Sequence, residues 1–399
     1  MYSRRVKHGV YVLEGTNSVA TALFFNYYFF FMREVFGFTN LGNLFLCAVT
    51  GLVYTAAAWF GGQFAQRRGY WFALRVGFSV MAAVLIVANS VPSVPWHFAV
   101  VMIWTMGMAL TWPALEALTS EGEPRGRLPH RLGIYNVVWS SGSALANFSG
   151  GAVLEKLGHQ AIFFLPAALH LTQLLLLGRL EARSRRGASP APLPPERTDV
   201  PAEVEQRRSP VPPAVFLQMA WVANPFAYIA MNAVIPVIPR LAERFGLSPM
   251  FAGFACSVWY IARAISFAVL WQWTGWHYRF RWLASAYVGL IVCFTAILLA
   301  PQLWMLLAAQ VVFGFCVGLM YCSSLYYSMD VGQTKGEHGG FHEAAIGVGI
   351  LVGPAVGAGA LRFFPASPHL HAWAVTGLLG GGLVWLVTLR RRGGRRRAS

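Results

Sequence analysis

The chain has 399 residues, 56% hydrophobic and only 12% charged, with a formal net charge of +16. Soluble domains carry roughly 25% charged and about 45 to 50% apolar residues, so an ordinary soluble globular protein is excluded. The apolar runs are long and unbroken, as at 72–91 and 282–300, which also excludes a membrane barrel built from alternating segments of about ten residues.

A bilayer-spanning helix needs about 20 predominantly apolar residues. The sequence predicts such helices near 11–32, 41–62, 71–90, 96–118, 132–154 and 161–179, then near 215–238, 250–273, 282–300, 304–328, 342–363 and 372–389. The first contains Glu14 and has no small-residue cleavage site after it, so it reads as a retained helix and not as a removed signal. Between the sixes, residues 179–213 are rich in Pro, Arg and Glu and too poor in apolar residues to build a core. They read as a flexible linker. The expected organisation is an all-α polytopic membrane protein: an N-terminal six-helix bundle at 1–180, a cytoplasmic linker at 181–213, and a C-terminal bundle with a basic tail at 214–399.

The basic residues decide orientation, because cytoplasmic loops retain Lys and Arg. The two tails, the linker and alternate loops carry 25 of them, whereas the opposite side carries five: Arg33, Lys156, Arg240, Arg244 and Arg362. Both termini are therefore expected in the cytoplasm, with the chain in the plasma or inner membrane, and the basic excess calls for no nucleic acid. The remaining one, Arg263, falls inside a span. The five cysteines all lie in apolar runs, where lone thiols behave as small hydrophobes, and no disulfide framework or zinc spacing is visible.

The second half repeats traits of the first. At a shift of 207, Gly107 meets Gly314, Glu123 meets Asp330, Asn136 meets Glu343, and Gly142, Ala146 and Gly150 meet Gly349, Gly353 and Gly357. At a shift of 212, Trp59 meets Trp271 and Arg67 meets Arg279. Six helices per half with such echoes favour the duplication that transporters use.

After the second helix the sequence reads Gly62, Gln63, Phe64, Ala65, Gln66, Arg67, Arg68, Gly69, Tyr70. This resembles the loop signature of the major facilitator superfamily, with Gln66 in place of the usual Asp and Tyr70 in place of a basic residue. The resemblance implies twelve helices in two pseudo-symmetric six-helix bundles over essentially the whole chain. It also implies a cytoplasmic latch in which Arg67 pairs with Glu116 or Glu121, while Gln66 reaches the start of helix 11. The plainer alternative is that Arg67 and Arg68 only enforce topology. Two further family marks are missing. Ile103 and Gln310 stand where a helix 4 Arg, often tied to proton coupling, would precede Gly107 and Gly314, and the nearest Gly-Pro pair, Gly353 and Pro354, lies in helix 11 and not helix 5.

In that family helices 1, 4, 7 and 10 line a central cavity, which directs attention to the polar stripes on them. Helix 1 offers Glu14, Asn17, Ser18, Thr21, Phe25 and Tyr28; helix 7 offers Asn224, Tyr228 and Asn232; helix 10 offers Gln310, Tyr321, Ser324 and Ser328. Aromatic rings with amides and hydroxyls suit a neutral or amphipathic organic solute, although such residues also glue helices together. Arg263 shares a helix 8 face with Trp259 and Ser266. By resemblance that face meets helix 5, where Asn136, Ser140, Ser143 and Asn147 form one stripe. Arg263 is then either a substrate or counter-ion site, or a structural Arg bonded to this stripe.

Helix 11 opens with His342 and Glu343, after Glu337 and His338. A zinc-protease reading fails because Ile346 stands where the second His is needed. The cluster reads instead as a gate at the cytoplasmic mouth, with Glu343 the first candidate to exchange a coupling proton and Glu14 the second. His170 reads as a packed histidine on a peripheral helix, and the spaced glycines of helix 11 as a packing stripe.

The expected function is secondary active transport of a small organic solute by alternating access, with protons as the candidate coupling ion. No cofactor, metal site or ATP-binding loop is expected, and the chain is expected to act as a monomer in the bilayer. The expected solute contacts are Asn17, Thr21, Tyr28, Asn147, Asn224, Tyr228, Asn232, Trp259, Arg263, Gln310, Tyr321 and Ser324. Coupling or gating is assigned to Glu14, Gln66, Arg67, Glu116, Glu121, Asp330, His342 and Glu343. The alternatives are a lipid flippase or lipid-binding protein on the same fold, or a membrane-embedded metal-dependent enzyme at His338, His342 and Glu343.

Overall fold

The structure is a computed structural model that describes every residue except 1, 122, 124–127, 187–210, 332–334 and 399. Inside helices, the side chains at 128–129, 329, 335–342 and 395–398 also lie outside the description. The described chain is helical, in the order α1 (Arg4–Phe36), α2 (Asn40–Arg68), α3 (Tyr70–Ser90), α4 (Val94–Ser120), α5 (Leu128–Leu157), α6 (Ala161–Arg186), α7 (Pro213–Arg244), α8 (Pro249–Gln272), α9 (Phe280–Leu299), α10 (Leu303–Val331), α11 (Lys335–Phe363) and α12 (Leu370–Ala398). A 3-10 turn at Ile235–Val237 interrupts α7, where Pro236 and Pro239 cannot donate to the ladder.

Ten of these helices are long and apolar enough to cross a membrane; α1 and α5 are not among them. Both are full-length, at 33 and 30 residues, but they carry the polar stripes. Glu14, Asn17 and Ser18 on α1, and Asn136, Ser140 and Asn147 on α5, are all buried by neighbouring helices and not by lipid.

Several helices outrun their predicted ends. The apolar count stops where charge begins, whereas the backbone ladder continues through good helix formers such as Arg. Thus α12 continues through the arginines of the tail, α6 runs to Arg186 and shortens the expected linker, and α11 starts at Lys335 instead of 342. Glu343 accordingly lies more than two turns inside its helix.

Within the first half α1 packs on α5 and α6, and α3 on α4 and α6; within the second α10 packs on α8 and α9, and α7 on α11 and α12. The halves meet along two seams, α2 with α11 and α5 with α8. Close approach at the first seam depends on glycine. A Cβ on Gly51 would lie 2.5 Å from the Ile350 carbonyl carbon and 2.7 Å from Leu351 Cα. On the face opposite the termini, Asn43 Nδ2 donates to the Pro236 carbonyl at 3.1 Å and Arg33 pairs with Glu243, so the halves are closed together there.

On the termini face Lys7 is buried at 2% exposure. Its Nζ donates to the carbonyls of Thr119 (2.8 Å), Glu121 (2.9 Å) and Leu118 (3.3 Å), which satisfies the open carbonyl end of α4. It also pairs with buried Glu123 at 3.4 Å, and Glu123 pairs with Arg131 at 3.2 Å. The second half uses a different fastening. Tyr278, at a left-handed φ of 52°, donates its hydroxyl to Asp330, and its N–H donates to the Tyr327 hydroxyl at 2.8 Å. Burial and the neighbouring Asp330 carboxylate push the Tyr278 hydroxyl well above the usual phenol range, so it stays a donor.

Candidate functional site: buried charges held apart

Three carboxylates lie within electrostatic range of one another, two from the first half and one from the second. Glu14 on α1 is fully buried; its Oε1 accepts from Ser18 Oγ at 3.1 Å, and its Oε2 has no hydrogen-bond partner among the described residues, although the Tyr135 hydroxyl is near the carboxylate. Glu343 on α11 is 7% exposed and accepts from the Tyr54 hydroxyl at 2.5 Å. Tyr54 is the midpoint of α2, so this bond joins the two halves at mid-depth. Glu116 near the end of α4 is half-buried and lies within electrostatic range of both Glu14 and Glu343. Glu343 lies more than two turns into α11, at the first residue of its apolar span.

Arg263 stands apart from these acids. Its guanidinium lies 4.6 Å from the Trp139 ring, 5.2 Å from Trp259 and 5.1 Å from Tyr260. Its one hydrogen-bond partner among the described residues is the Met231 sulfur, at 3.7 Å, and its Nε is unpartnered there. Cation–π contact of this kind is worth roughly 2 kcal/mol when desolvated, less than the several kcal/mol that burying an unpaired ion costs. The alternative of an Arg bonded to the α5 polar stripe is not what is found. Trp139 projects at that point, while Asn147 is taken by α1: it accepts from Asn26 at 3.0 Å, and its carbonyl accepts from Tyr27 at 2.5 Å.

The remaining expected solute contacts divide. Tyr228 lies within electrostatic range of Arg263, Glu343 and Glu116, and Tyr321 of Arg263, Glu116 and Glu343. Tyr321 also packs edge-on against Trp139. Asn17 donates to Thr111 at 3.3 Å with its Oδ1 unpartnered among the described residues, as is Asn224 Oδ1. Thr21 caps the Asn17 carbonyl at 2.7 Å, Asn232 donates to the Tyr228 carbonyl at 3.0 Å, and Gln310 donates to the Ala255 carbonyl at 3.0 Å. Ser324 is buried. Tyr28 points elsewhere, donating to the His97 carbonyl at 2.8 Å among Phe24, Phe31 and Phe163. His170 is buried against Phe78 and bonded to Gln173 at 2.8 Å.

The Arg67 part of the expected latch is not formed among the described residues; the start of α11, which Gln66 was expected to reach, has its side chains outside them. Gln66 and Arg67 are exposed, and among the described residues Arg67 pairs with neither Glu116 nor Glu121. Glu116 faces inward to the other acids, and the Glu121 carbonyl serves Lys7. The side chains of Glu337, His338 and His342 lie outside the described residues. Sequence reasoning missed Tyr54, Tyr135, Trp139 and Tyr260. A lone aromatic in an apolar helix carries no signal until its partner on another helix is known; only the polar stripe beside Trp139 hinted that its stretch of α5 faces inward.

Among curated proteins none matches the sequence. Solved structures that share the fold include a point mutant of the nucleoside transporter NupG (TM-score 0.69, 14% identity, 97% of this chain and 99% of that one) and NupG without that mutation (0.67, 12%, 96% and 98%). A bacterial homolog of the human lysosomal transporter Spinster, inward-facing and unoccupied, is also similar (0.67, 14%, 96% and 95%). The sequence matches the profile of the Major Facilitator Superfamily over residues 9–147 and 220–399. With that profile spanning both helix bundles and the fold of known transporters, the chain belongs to the Major Facilitator Superfamily and is a multi-pass membrane protein of the solute-transporter kind.

Proposed function

We propose that the protein moves a small organic solute across the plasma or inner membrane by alternating access, with the bundles at 1–180 and 214–399 rocking about the chamber and 181–213 tethering them on the cytoplasmic side. The 25 to 5 asymmetry of basic residues supports cytoplasmic termini. Its expected working unit is a monomer.

The observation that carries the reading is the Tyr54–Glu343 bond at mid-depth. It links a titratable group to the relative position of the two halves, so a proton on Glu343 and the separation of α2 from α11 become thermodynamically linked. Glu343 is the proton-exchanging group, and Glu14 is the second acid of the same chamber. In proteoliposomes loaded with a pH-sensitive dye, a transported solute should drive proton movement, and Glu343→Gln should remove that movement while solute binding persists. Solute-driven proton flux of wild-type size in Glu343→Gln would show that Glu343 is not the coupling site.

A further inference from the structure

The charges of the chamber are segregated. The acids Glu14, Glu116 and Glu343 come from α1, α4 and α11 and lie within range of one another. Arg263 on α8 forms no ion pair with any of them, and the groups acting on it are Tyr228, Tyr260 and Tyr321. Tyr228 lies within electrostatic range of both poles, of Glu343 and Glu116 and of Arg263. Had they been adjacent they would have neutralised each other, as Lys7 and Glu123 do. Held apart, Arg263, at 5% exposure, keeps its Nε without a hydrogen-bond partner among the described residues, and Glu14, at 0%, has only the hydroxyls of Ser18 and Tyr135 about its carboxylate. Burying such groups unpaired is unfavourable, so a ligand able to satisfy both gains the most.

We infer that the chamber selects zwitterionic solutes, small molecules with an amine and a carboxylate or similar anion, the anion resting on Arg263 and the ammonium on the acids. A solute with only an anion meets Arg263 but faces the acid pole across the same space. One with only an amine leaves Arg263 unpaired among its rings. A neutral solute satisfies neither. The aromatic walls, Trp139, Tyr228 and Tyr321, favour an apolar or aromatic body between the charged ends, and the ammonium also benefits from those ring faces.

This inference rests on the transport reading only for the location of the chamber, and its test is one of binding. Purified full-length protein would be screened by thermal shift against matched sets: the proteinogenic amino acids, the amines they give on decarboxylation, and the acids that lack the amino group. Stabilisation should come from one or more amino acids, with each matched amine or acid binding about tenfold more weakly or worse, the worth of one charge-assisted hydrogen bond. Arg263→Gln should abolish the preference for the amino acid over its amine, and Glu14→Gln should reduce the preference over its acid. Arg263→Lys keeps a cation in the site and should retain part of the preference, which covers the case in which Arg263→Gln does not fold. Stabilisation by none of the amino acids, or by amines or acids as strongly as by their zwitterions, overturns the inference. A zwitterion that binds in this pattern but is not taken up by proteoliposomes upholds the ligand class and overturns the transport reading; uptake of a neutral solute with no zwitterion binding does the reverse.

Discussion

Tyr54→Phe removes one oxygen and with it the 2.5 Å bond to Glu343, leaving the ring to fill the same buried volume. A hydrogen bond of this kind contributes about 1 to 3 kcal/mol, with the upper end applying to a charged acceptor. The bond crosses between the halves, so its loss acts on the conformational equilibrium and not only on folding. The conformation described here, closed on the face opposite the termini by Arg33–Glu243 and Asn43–Pro236, should lose roughly 5- to 150-fold in population relative to the alternative. Spin labels at Leu157 and Trp304, both 64% exposed on that face and on opposite halves, report the change as a longer-distance population in double electron-electron resonance. Tyr54→Phe and Glu343→Leu remove the same bond, so their population shifts should be strongly non-additive in the double variant. An unaltered distance distribution in Tyr54→Phe, or strictly additive shifts, would refute the idea that this bond couples Glu343 to the motion.

Lys7→Met should lower the thermal midpoint, since it leaves the α4 carbonyls without this donor and Glu123 with Arg131 as its remaining cation among the described residues, at a cost of about 1 to 3 kcal/mol; adding Arg131→Gln should deepen the loss by leaving Glu123 unpaired. Gly51→Ala should push α2 and α11 apart and shift the same spin-label distances, with overpacking costing about 1 to 3 kcal/mol, while Gly359→Ala, which meets nothing within 4 Å, serves as the neutral control in the same measurement. For orientation, a cysteine at exposed Ser367 in a cysteine-free background should react with an impermeant thiol reagent on intact cells, and one at exposed Arg68 should not; the reverse pattern would invert the topology. Tyr278→Phe should lower the thermal midpoint by the worth of one charge-assisted bond, about 1.5 to 3 kcal/mol, because Asp330 loses this donor.

Class, helix number and the duplicated halves were legible in the sequence, because they follow from runs of apolar residues and from the spacing of loops, both properties of consecutive residues. The same holds for the buried charges as a set: Glu14, Arg263 and Glu343 stand out in apolar runs wherever they point, since a charge within a span needs a reason to be there. What each charge faces is a property of pairs far apart in the chain, and there the sequence misled. It offered Glu116 or Glu121 as the partner of Arg67, whereas Glu116 lies within range of Glu14. It left Arg263 between a solute or counter-ion role and a bond to the α5 amides; the helix phase presents Trp139 and α1 takes Asn147, which removes the second. It began helix 11 near 342, because an apolar count ends where the polar first turns of α11 lie. Only the packing of α2 on α11, possible because Gly51 has no side chain, brought Tyr54 to Glu343, and only the packing of α8 on α5 and α10 set Arg263 among Trp139, Trp259 and Tyr260.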